Sequence, residues 1–435
     1  MKFYSTNHQV PDVDLRTAVT KGLADDNGLF MPEHIAKMTQ DFFENLSEKT
    51  LPEIGYQVAS QFFGDDIPAE DLKPLVEEVL NFDIPLVKVS EGIYTLELFH
   101  GPTLAFKDVG ARFMARLLGY FTKQKSEIIN VLVATSGDTG SAVANGFYKV
   151  PGIRVFILYP KGLVSPIQEK QFTTLGENII SIEIDGTFDD CQHLVKQAFL
   201  DKELCNQITL TSANSINLAR LLPQSFYYYY GVAQMMKMEP GKKIVVSVPS
   251  GNFGNICAGL IAKRTGLSID KFISATNVND IVPKYLETGK FEPRASIATI
   301  ANAMDVGNPS NFTRILDLYK GSHAAITNDV IGSAYNDEQI RETIREVKKE
   351  FNYLCDPHGA IGYRSLQAYL PTTENSVGFF LETAHPAKFN ETIEATLGEP
   401  LEIPERLKKI IEGERKSYSL NVDYNALKKF LLATK

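Results

Sequence analysis

The segment "IINVLVATSGDTGSAVANGFY", residues 128–148, decides the fold class because it combines a mostly apolar strand, a polar turn and a helix. The same order of strand, turn and helix recurs between residues 107 and 276. Apolar, β-branched strands that alternate with helices predict parallel sheets covered by helices on both faces. We therefore predict an α/β protein with two open, mostly parallel α/β domains and a largely helical N-terminal domain.

The predicted elements divide the chain into three domains, 1–90, 91–238 and 239–435, with "MEPGKK" at 238–243 as the crossing between the two α/β domains. In the first domain, "PAEDLKPLVEEVLNF", residues 68–82, has the apolar period of a helix. The predicted strands are 84–89 and 93–99 (a hairpin), 128–134, 153–159, 178–184, 207–211, 243–249 and 271–276. The predicted helices are 108–121, 141–148, 165–175, 189–200, 216–236 and 256–264.

Composition excludes several classes of function. The chain has 435 residues, 44% of them apolar and 22% charged, as in globular proteins. Its formal net charge of −9, without a Lys/Arg-rich block, disfavours nucleic acid as a partner. We expect no membrane partner and a cytoplasmic location, because the sequence has neither an apolar run of membrane-spanning length nor a signal-like start. The four cysteines form no Cys-x-x-Cys pair, so no metal site is predicted.

The glycine-rich stretch "VPSGNFGN", residues 248–255, follows a strand and opens a helix. Backbone N–H groups at such a junction bind anions, and Gly251 and Gly254 allow close approach of the backbone. The stretch has no lysine and does not match the P-loop or the dinucleotide pattern. It therefore predicts a cradle for a single phosphate, such as that of a cofactor, with simple turn geometry as the alternative.

Two further polar groups offer a second anion site. In "ATSGDTGSAV", residues 134–143, the hydroxyl side chains of Thr135, Ser136 and Thr139 follow a strand. The alternative is a helix cap made by Ser136 or Asp138. In "TSANSINLARLL", residues 211–222, Arg220 either clamps an oxyanion or lies on an ordinary helix face. The candidate anion-binding side chains are Thr135, Ser136, Thr139, Asn214, Ser215 and Arg220.

Two other stretches carry side chains that could meet a ligand. In "GFFLETAHPAKF", residues 378–389, a strand ends at Thr383, which either caps the chain or offers a hydroxyl to a ring nitrogen. His385 fits a structural histidine better than a proton shuttle. The four tyrosines at 227–230 are expected to pack in the core, with one hydroxyl reaching a ligand as the alternative.

Lys107 lies in "HGPTLAFKDVGARF", residues 100–113, between a Gly-Pro-Thr turn and a predicted helix. Taken alone, a lysine is most often a surface residue. One lysine with one phosphate cradle and one strand-end hydroxyl is, however, what pyridoxal phosphate needs. Burial lowers the pKa of a lysine from about 10.4 by up to three to five units, which frees its amine to act as nucleophile and then as base.

With "ELFHGPTLAFKD", "ATSGDTGSAV", "ANSINLAR", "VPSGNFGN" and "TAHPAKF" in order, the chain resembles the threonine synthase family. This family has fold type II of the pyridoxal-phosphate enzymes, like the tryptophan synthase β chain, and the N-terminal stretch "GLADDNGLFMP" resembles its longer bacterial and fungal branch. The resemblance implies pyridoxal 5'-phosphate as cofactor. It assigns Lys107 to the covalent link and to base catalysis, Gly251, Asn252, Phe253, Gly254 and Asn255 to the cofactor phosphate, Thr383 to the pyridine nitrogen, and Thr135, Ser136, Thr139, Asn214, Ser215 and Arg220 to the substrate.

One position departs from the pattern of the fold. Many relatives have an asparagine facing the 3'-oxygen of the cofactor, where this sequence has Asp138. An ionised carboxylate there would repel the phenolate, so Asp138 is either protonated or directed elsewhere.

The resemblance also implies a reaction, in which O-phospho-L-homoserine and water become L-threonine and phosphate. This makes the chain a carbon–oxygen lyase of threonine biosynthesis, either monomeric or homodimeric. Two alternatives remain open: a serine or threonine dehydratase or other β-replacing enzyme of the same fold, and a relative that binds ligand without turnover.

Overall fold

The computed structural model describes residues 1–123 and 128–434. These residues form two compact units. The first unit contains Met1, Met31–Phe106 and Leu221–Glu402, and the second contains Lys2–Phe30, Lys107–Arg220 and Ile403–Lys435. The predicted division at residues 90 and 238 stays a prediction.

Strands and helices alternate through both units. The strands are β1 (Phe3–Ser5), β2 (Phe30–Pro32), β3 (Leu86–Ser90), β4 (Ile93–Glu97), β5 (Ile129–Ala134), β6 (Ile153–Pro160), β7 (Ile179–Asp185), β8 (Thr209–Ser212), β9 (Lys243–Pro249), β10 (Lys271–Thr276), β11 (Val330–Ala334), β12 (Ser376–Glu382) and β13 (Tyr418–Asn421). The helices are α1 (Leu15–Lys21), α2 (Gln40–Glu44), α3 (Leu51–Phe63), α4 (Ala69–Val79), α5 (Lys107–Thr122), α6 (Asp138–Phe147), α7 (Pro166–Thr173), α8 (Phe188–Leu200), α9 (Lys202–Gln207), α10 (Leu218–Leu221), α11 (Ser225–Met238), α12 (Gly254–Arg264), α13 (Ile281–Thr288), α14 (Phe312–Leu318), α15 (His323–Asp329), α16 (Asp337–Phe351), α17 (Pro357–Tyr369), α18 (Asn390–Leu397), α19 (Glu405–Ile411) and α20 (Tyr424–Ala433).

The first unit is built on a six-stranded sheet in the order β11-β10-β9-β12-β4-β3. All neighbours are parallel except β3 and β4, which form the predicted antiparallel hairpin. Helix α17 packs on β9 and β12, and Val245, Ile273, Phe380, Ile344 and Ile361 belong to one buried core cluster. Each such apolar side chain contributes about 1.5–3 kcal/mol when it is fully buried.

The second unit is built on a five-stranded sheet in the order β13-β7-β6-β5-β8, parallel throughout. Every residue of β5 is buried, as expected for a parallel strand covered on both faces. Its core includes Leu132, Phe156, Ile182, Leu194 and Leu431. The two mostly parallel sheets confirm the predicted α/β class.

The single helix predicted over 216–236 is wrong. The chain forms α10, a 3-10 turn over Leu222–Gln224, and then α11. Pro223 lies in that turn, and proline interrupts a helix because it lacks an N–H and its ring clashes with a carbonyl of the preceding turn. Within residues 1–123 and 128–434, no helix is both long and apolar enough to cross a membrane.

Candidate active site

The glycine-rich turn of the first unit joins β9 to α12. Phe253 has a φ of +59°, in the left-handed region, and α12 begins at the next residue. The free N–H groups of the first helical turn favour an anion by about 0.3–1 kcal/mol through the helix dipole. A Cβ on Gly251 would lie 2.4 Å from the carbonyl oxygen of Ala303, so only glycine fits there. The turn therefore has the local geometry of an anion cradle.

Two asparagines stabilise the turn from opposite ends. The side-chain Oδ1 of Asn252 accepts a 2.6 Å hydrogen bond from the N–H of Ser310. The backbone carbonyl of Asn252 accepts one of 3.0 Å from the Asn311 side chain. At the start of α12, the Asn255 Oδ1 accepts hydrogen bonds from the hydroxyls of Tyr227 and Tyr228 at 2.7 and 2.6 Å.

The side-chain nitrogen of Asn255 gives the strongest indication that a ligand binds at this turn. This Nδ2 is buried and has no hydrogen-bond partner within the described part of the chain. Leaving a buried donor unsatisfied costs about 1–3 kcal/mol, so such an atom calls for an acceptor. A phosphate oxygen supplies one, and the residues of the turn therefore fit the phosphate of pyridoxal phosphate.

Thr383 directly follows β12 at its carboxyl end and is 7% exposed. Its carbonyl accepts a 2.9 Å hydrogen bond from the N–H of Phe106, and Ala105 forms an antiparallel bridge with Ala384. Phe106 is the residue immediately before Lys107, which begins α5 and is half-buried. Chain connectivity alone thus places Lys107 one residue beyond a hydrogen-bond partner of Thr383.

Buried carboxyl groups surround the end of β12. Burial, with the neighbouring Asp356 carboxylate as the second cause, raises the pKa of Glu382 well above its usual range. Asp356 is fully buried and accepts hydrogen bonds from the N–H of Ala384 at 3.2 Å and from the ring of His358 at 2.6 Å. The His358 Nε2 in turn accepts from the N–H of Ala303, on which Gly251 packs. The Asp356 carboxylate therefore links two segments through hydrogen bonds: Ala384, which follows Thr383, directly, and Ala303, which packs against Gly251, through the His358 ring.

His385 makes contacts typical of a structural histidine. Its Nδ1 accepts a 3.1 Å hydrogen bond from the N–H of Ala387, and its ring packs edge-on against Phe99. Burial, followed by the charge of His100, lowers the pKa of His385, so the ring is neutral at neutral pH.

In the second unit, the loop that carries Thr135 and Ser136, called the hydroxyl loop below, follows β5. Thr135 caps α6: its hydroxyl accepts hydrogen bonds from the N–H groups of Gly137 and Gly140 at 3.0 and 2.8 Å. The sequence-based alternative of a cap made by Ser136 or Asp138 named the wrong side chains. Asp138 is 6% exposed, and its carboxylate accepts a 2.8 Å hydrogen bond from the Gln168 side chain.

The loop after β8 lies beside the hydroxyl loop because β8 pairs with β5. The Asn214 side chain donates to the carbonyl of Ala134 at 3.3 Å, while Ser215 is half-buried. Arg220 is 3% exposed and donates to the carbonyl of Ala213. Burial, partly opposed by Asp108, lowers the pKa of Arg220 to about 10, so its guanidinium stays charged at neutral pH. The two loops that carry these residues follow the paired parallel strands β5 and β8 at their carboxyl ends.

Several side chains at these loops were not named from the sequence. Asn217 is fully buried and donates to the carbonyls of Val19 and Ser212 at 2.9 and 3.1 Å. Lys388 is also fully buried, and its Nζ donates to the carbonyl of Thr103, in the turn that precedes Lys107. Both lie inside quoted motifs, so the available signal was the motif itself rather than a charge or spacing pattern.

Comparison with known proteins gives the same assignment over the full chain. The family model for pyridoxal-phosphate dependent enzymes matches residues 82–380, and the threonine synthase N-terminal and C-terminal models match residues 2–80 and 359–431. Threonine synthase from Escherichia coli (strain K12) is 45% identical over 432 residues, which cover 99% of each chain.

Solved structures agree with this result. The structure of pyridoxal-phosphate-bound threonine synthase from Brucella melitensis has a TM-score of 0.93 at 34% identity, covering 100% of this chain and 99% of that one. The processed form of threonine deaminase isoform 2 from Solanum lycopersicum shares the fold alone, with a TM-score of 0.56 at 14% identity over 85% of this chain and 97% of that chain. Fold type II and pyridoxal 5'-phosphate as cofactor are thereby confirmed. The chain belongs to the threonine synthase family of pyridoxal-phosphate-dependent enzymes.

Proposed function

We propose that this chain converts O-phospho-L-homoserine and water to L-threonine and phosphate. The observation that carries the proposal is that residues suited to an anion lie in two separate sets of loops. The glycine-rich turn with Asn255 suits the cofactor phosphate, and the loops after β5 and β8, with the charged Arg220, suit a substrate that carries its own phosphate. Serine and threonine, the substrates of a dehydratase, carry a carboxylate but no phosphate, so a dehydratase needs no phosphate site beyond that of the cofactor.

The side chains divide the chemical work among them. When bound, pyridoxal phosphate supplies the electron withdrawal that makes the substrate carbons acidic. The Nζ of Lys107 takes the proton from Cα of the substrate and then one from Cβ. The substrate carboxylate and phosphate are held, while the Cγ–O bond breaks, by the side chains of the two loops after β5 and β8. These are Thr135, Ser136, Thr139, Asn214, Ser215 and Arg220. Once the Cγ–O bond has broken, Cγ takes up a proton and becomes the methyl carbon of the product, and the departing phosphate takes up another. The hydroxyl of a water molecule then adds at Cβ, and Lys107 returns a proton to Cα, which accounts for the two protons taken from the substrate and the one released by water.

Thr383 and the glycine-rich turn orient the cofactor during this sequence. Five residues of the turn would hold the cofactor phosphate: Gly251, Asn252, Phe253, Gly254 and Asn255. The Thr383 hydroxyl would hydrogen-bond the pyridine nitrogen, and a hydroxyl there, in place of a carboxylate, would leave that nitrogen unprotonated and moderate the electron withdrawal. Asp138 stays assigned to the cofactor side of the site, and its bond to Gln168 favours a carboxylate directed away from the 3'-oxygen.

Phosphate release from O-phospho-L-homoserine, measured by a colorimetric assay, tests the proposal. The parent protein should release phosphate. Lys107→Ala should release none and should lose the visible absorption band of the lysine-bound cofactor. Lys123→Ala, at an exposed position, should behave like the parent. Formation of 2-oxobutanoate from L-threonine without phosphate release would favour the dehydratase instead. Borohydride trapping and peptide mapping should label Lys107, whereas label on the buried Lys388 would refute the assignment.

Arg220→Ala separates a substrate role from a structural one. If Arg220 holds the substrate phosphate, the variant raises KM for O-phospho-L-homoserine at least tenfold and changes cofactor affinity little. Equal losses of both, with a lower thermal midpoint, would indicate an arginine that only supports the contact with Ala213. The cytoplasmic location and the monomeric or homodimeric state stay predictions.

A further inference from the structure

Three of the four consecutive tyrosines at 227–230 pack in the core as predicted, whereas Tyr230 is half-buried. Tyr227, Tyr228 and Tyr229 are fully buried, and a buried hydroxyl needs a hydrogen-bond partner. The Tyr229 hydroxyl pairs with that of Thr265, the residue that directly follows α12, whereas those of Tyr227 and Tyr228 both reach Asn255. Two neighbouring residues thus act on one amide at the start of the helix that the glycine-rich turn opens.

The chemistry of an asparagine amide makes this arrangement directional. Its oxygen has two lone pairs and accepts only, and its nitrogen has two N–H groups and donates only. Burial raises the pKa of Tyr227 and of Tyr228 well above the usual value, so both remain protonated donors. The Tyr228 hydroxyl is also 3.0 Å from the Asn255 backbone carbonyl, but Oδ1, at 2.6 Å, is the nearer acceptor. With both hydroxyls on Oδ1, Nδ2 faces the opposite way, where it is buried without a partner among the described residues.

We propose that Tyr227 and Tyr228 are positioning residues that hold the Asn255 amide with its Nδ2 directed at the cofactor phosphate. Without the two hydroxyls, the amide could rotate and present its oxygen, which a phosphate dianion repels. The site would then have to select the binding-competent orientation, which lowers the apparent affinity. The inference rests on the assignment of the glycine-rich turn to the cofactor and does not depend on the substrate.

The double variant Tyr227→Phe/Tyr228→Phe tests the inference, with Tyr229→Phe as the matched control. The control removes one buried hydroxyl from the same helix but none from Asn255. Purified protein is stripped of cofactor and titrated with pyridoxal phosphate and, separately, with pyridoxal, which lacks the phosphate. Thermal midpoints and the ³¹P resonance of the bound cofactor are recorded for each variant.

The double variant should bind pyridoxal phosphate roughly ten- to a hundredfold more weakly, the loss expected for one hydrogen bond to a charged group. Its ³¹P resonance should shift, while its affinity for pyridoxal and the behaviour of Tyr229→Phe stay at parent values. On an Asn255→Ala background, the two substitutions should cause no further loss.

Three results would overturn the inference: an equal loss for pyridoxal, an equal loss in Tyr229→Phe, or unchanged affinity for pyridoxal phosphate in the double variant. Because no substrate is present, none of these results bears on whether the enzyme releases phosphate from O-phospho-L-homoserine. A failed turnover assay would likewise leave the role of Tyr227 and Tyr228 intact.

Discussion

Replacing Glu382 by glutamine should make the stability of the protein less dependent on pH. Glu382 is fully buried, its Oε1 accepts from the N–H of Asp356, and burial raises its pKa well above the usual range. Its carboxyl group is therefore protonated in the folded chain at a pH where it is ionised in the unfolded chain. Glutamine has nearly the same shape, offers the same acceptor oxygen and has no proton to lose.

The sign and size of the effect follow from proton linkage. A carboxyl whose pKa is raised by folding stabilises the protein fully below its unfolded pKa of about 4.3, and this stability is lost as pH rises toward the folded pKa. The loss is up to about 1.4 kcal/mol per pH unit for one proton. Between pH 5 and pH 7, the parent should therefore lose up to about 2.7 kcal/mol relative to Glu382→Gln.

This difference is measured by unfolding three proteins with urea and with heat at pH 5, 6, 7 and 8. The proteins are the parent, Glu382→Gln and the exposed control Glu399→Gln. The gap between Glu382→Gln and the parent should widen with each step in pH, while Glu399→Gln should follow the parent. Curves for Glu382→Gln and the parent that run parallel from pH 5 to pH 8 would refute the reasoning, because Glu382 would then carry no folding-linked proton.

Three other substitutions test contacts of the glycine-rich turn and of the loop after β5. Gly251→Ala should weaken pyridoxal phosphate binding at least tenfold in a titration of cofactor-free protein, because the new Cβ would lie 2.4 Å from the Ala303 carbonyl; a change below threefold would contradict the close packing. Thr135→Val should lower the free energy of unfolding by about 1–2 kcal/mol through loss of the cap on α6, and Thr135→Ser should restore it; equal unfolding midpoints for the two variants would argue against the cap. Asp138→Asn keeps an oxygen for Gln168 and should leave the visible absorption maximum of the bound cofactor in place, whereas a clear shift would place the carboxylate at the 3'-oxygen.

The elements that the sequence predicted correctly are those whose signals are local. Strand β9, the glycine-rich turn and α12 are consecutive, and each has its own signature: a β-branched run, two glycines and an apolar helix. Strands β11 and β13 were not predicted, because β11 alternates buried and less buried positions over five residues and β13 is almost entirely exposed. Neither forms the apolar run that marks a central strand.

The assignment of strands to each unit could not be predicted for a related reason. Strand β13 joins the five-stranded sheet by pairing with β7, more than 230 residues earlier in the chain, through register partners such as Tyr418 and Ile182. Likewise, the β3–β4 hairpin extends a sheet whose other strands begin at residue 243. Such pairings depend on long-range packing rather than on any local pattern, so a division made at linkers in the sequence cannot detect them.

At the site, sequence supplied residue types, and tertiary structure supplied their orientation. The motif "VPSGNFGN" contains Asn255, but nothing within the motif indicates which end of its amide faces an anion. That information lies 27 and 28 residues earlier, in two tyrosine hydroxyls on α11. The same holds for Thr383, whose neighbour Ala384 donates its N–H to Asp356, the residue that caps α17. A motif therefore specifies which groups can bind the cofactor, whereas buried partners outside it determine whether those groups point the right way.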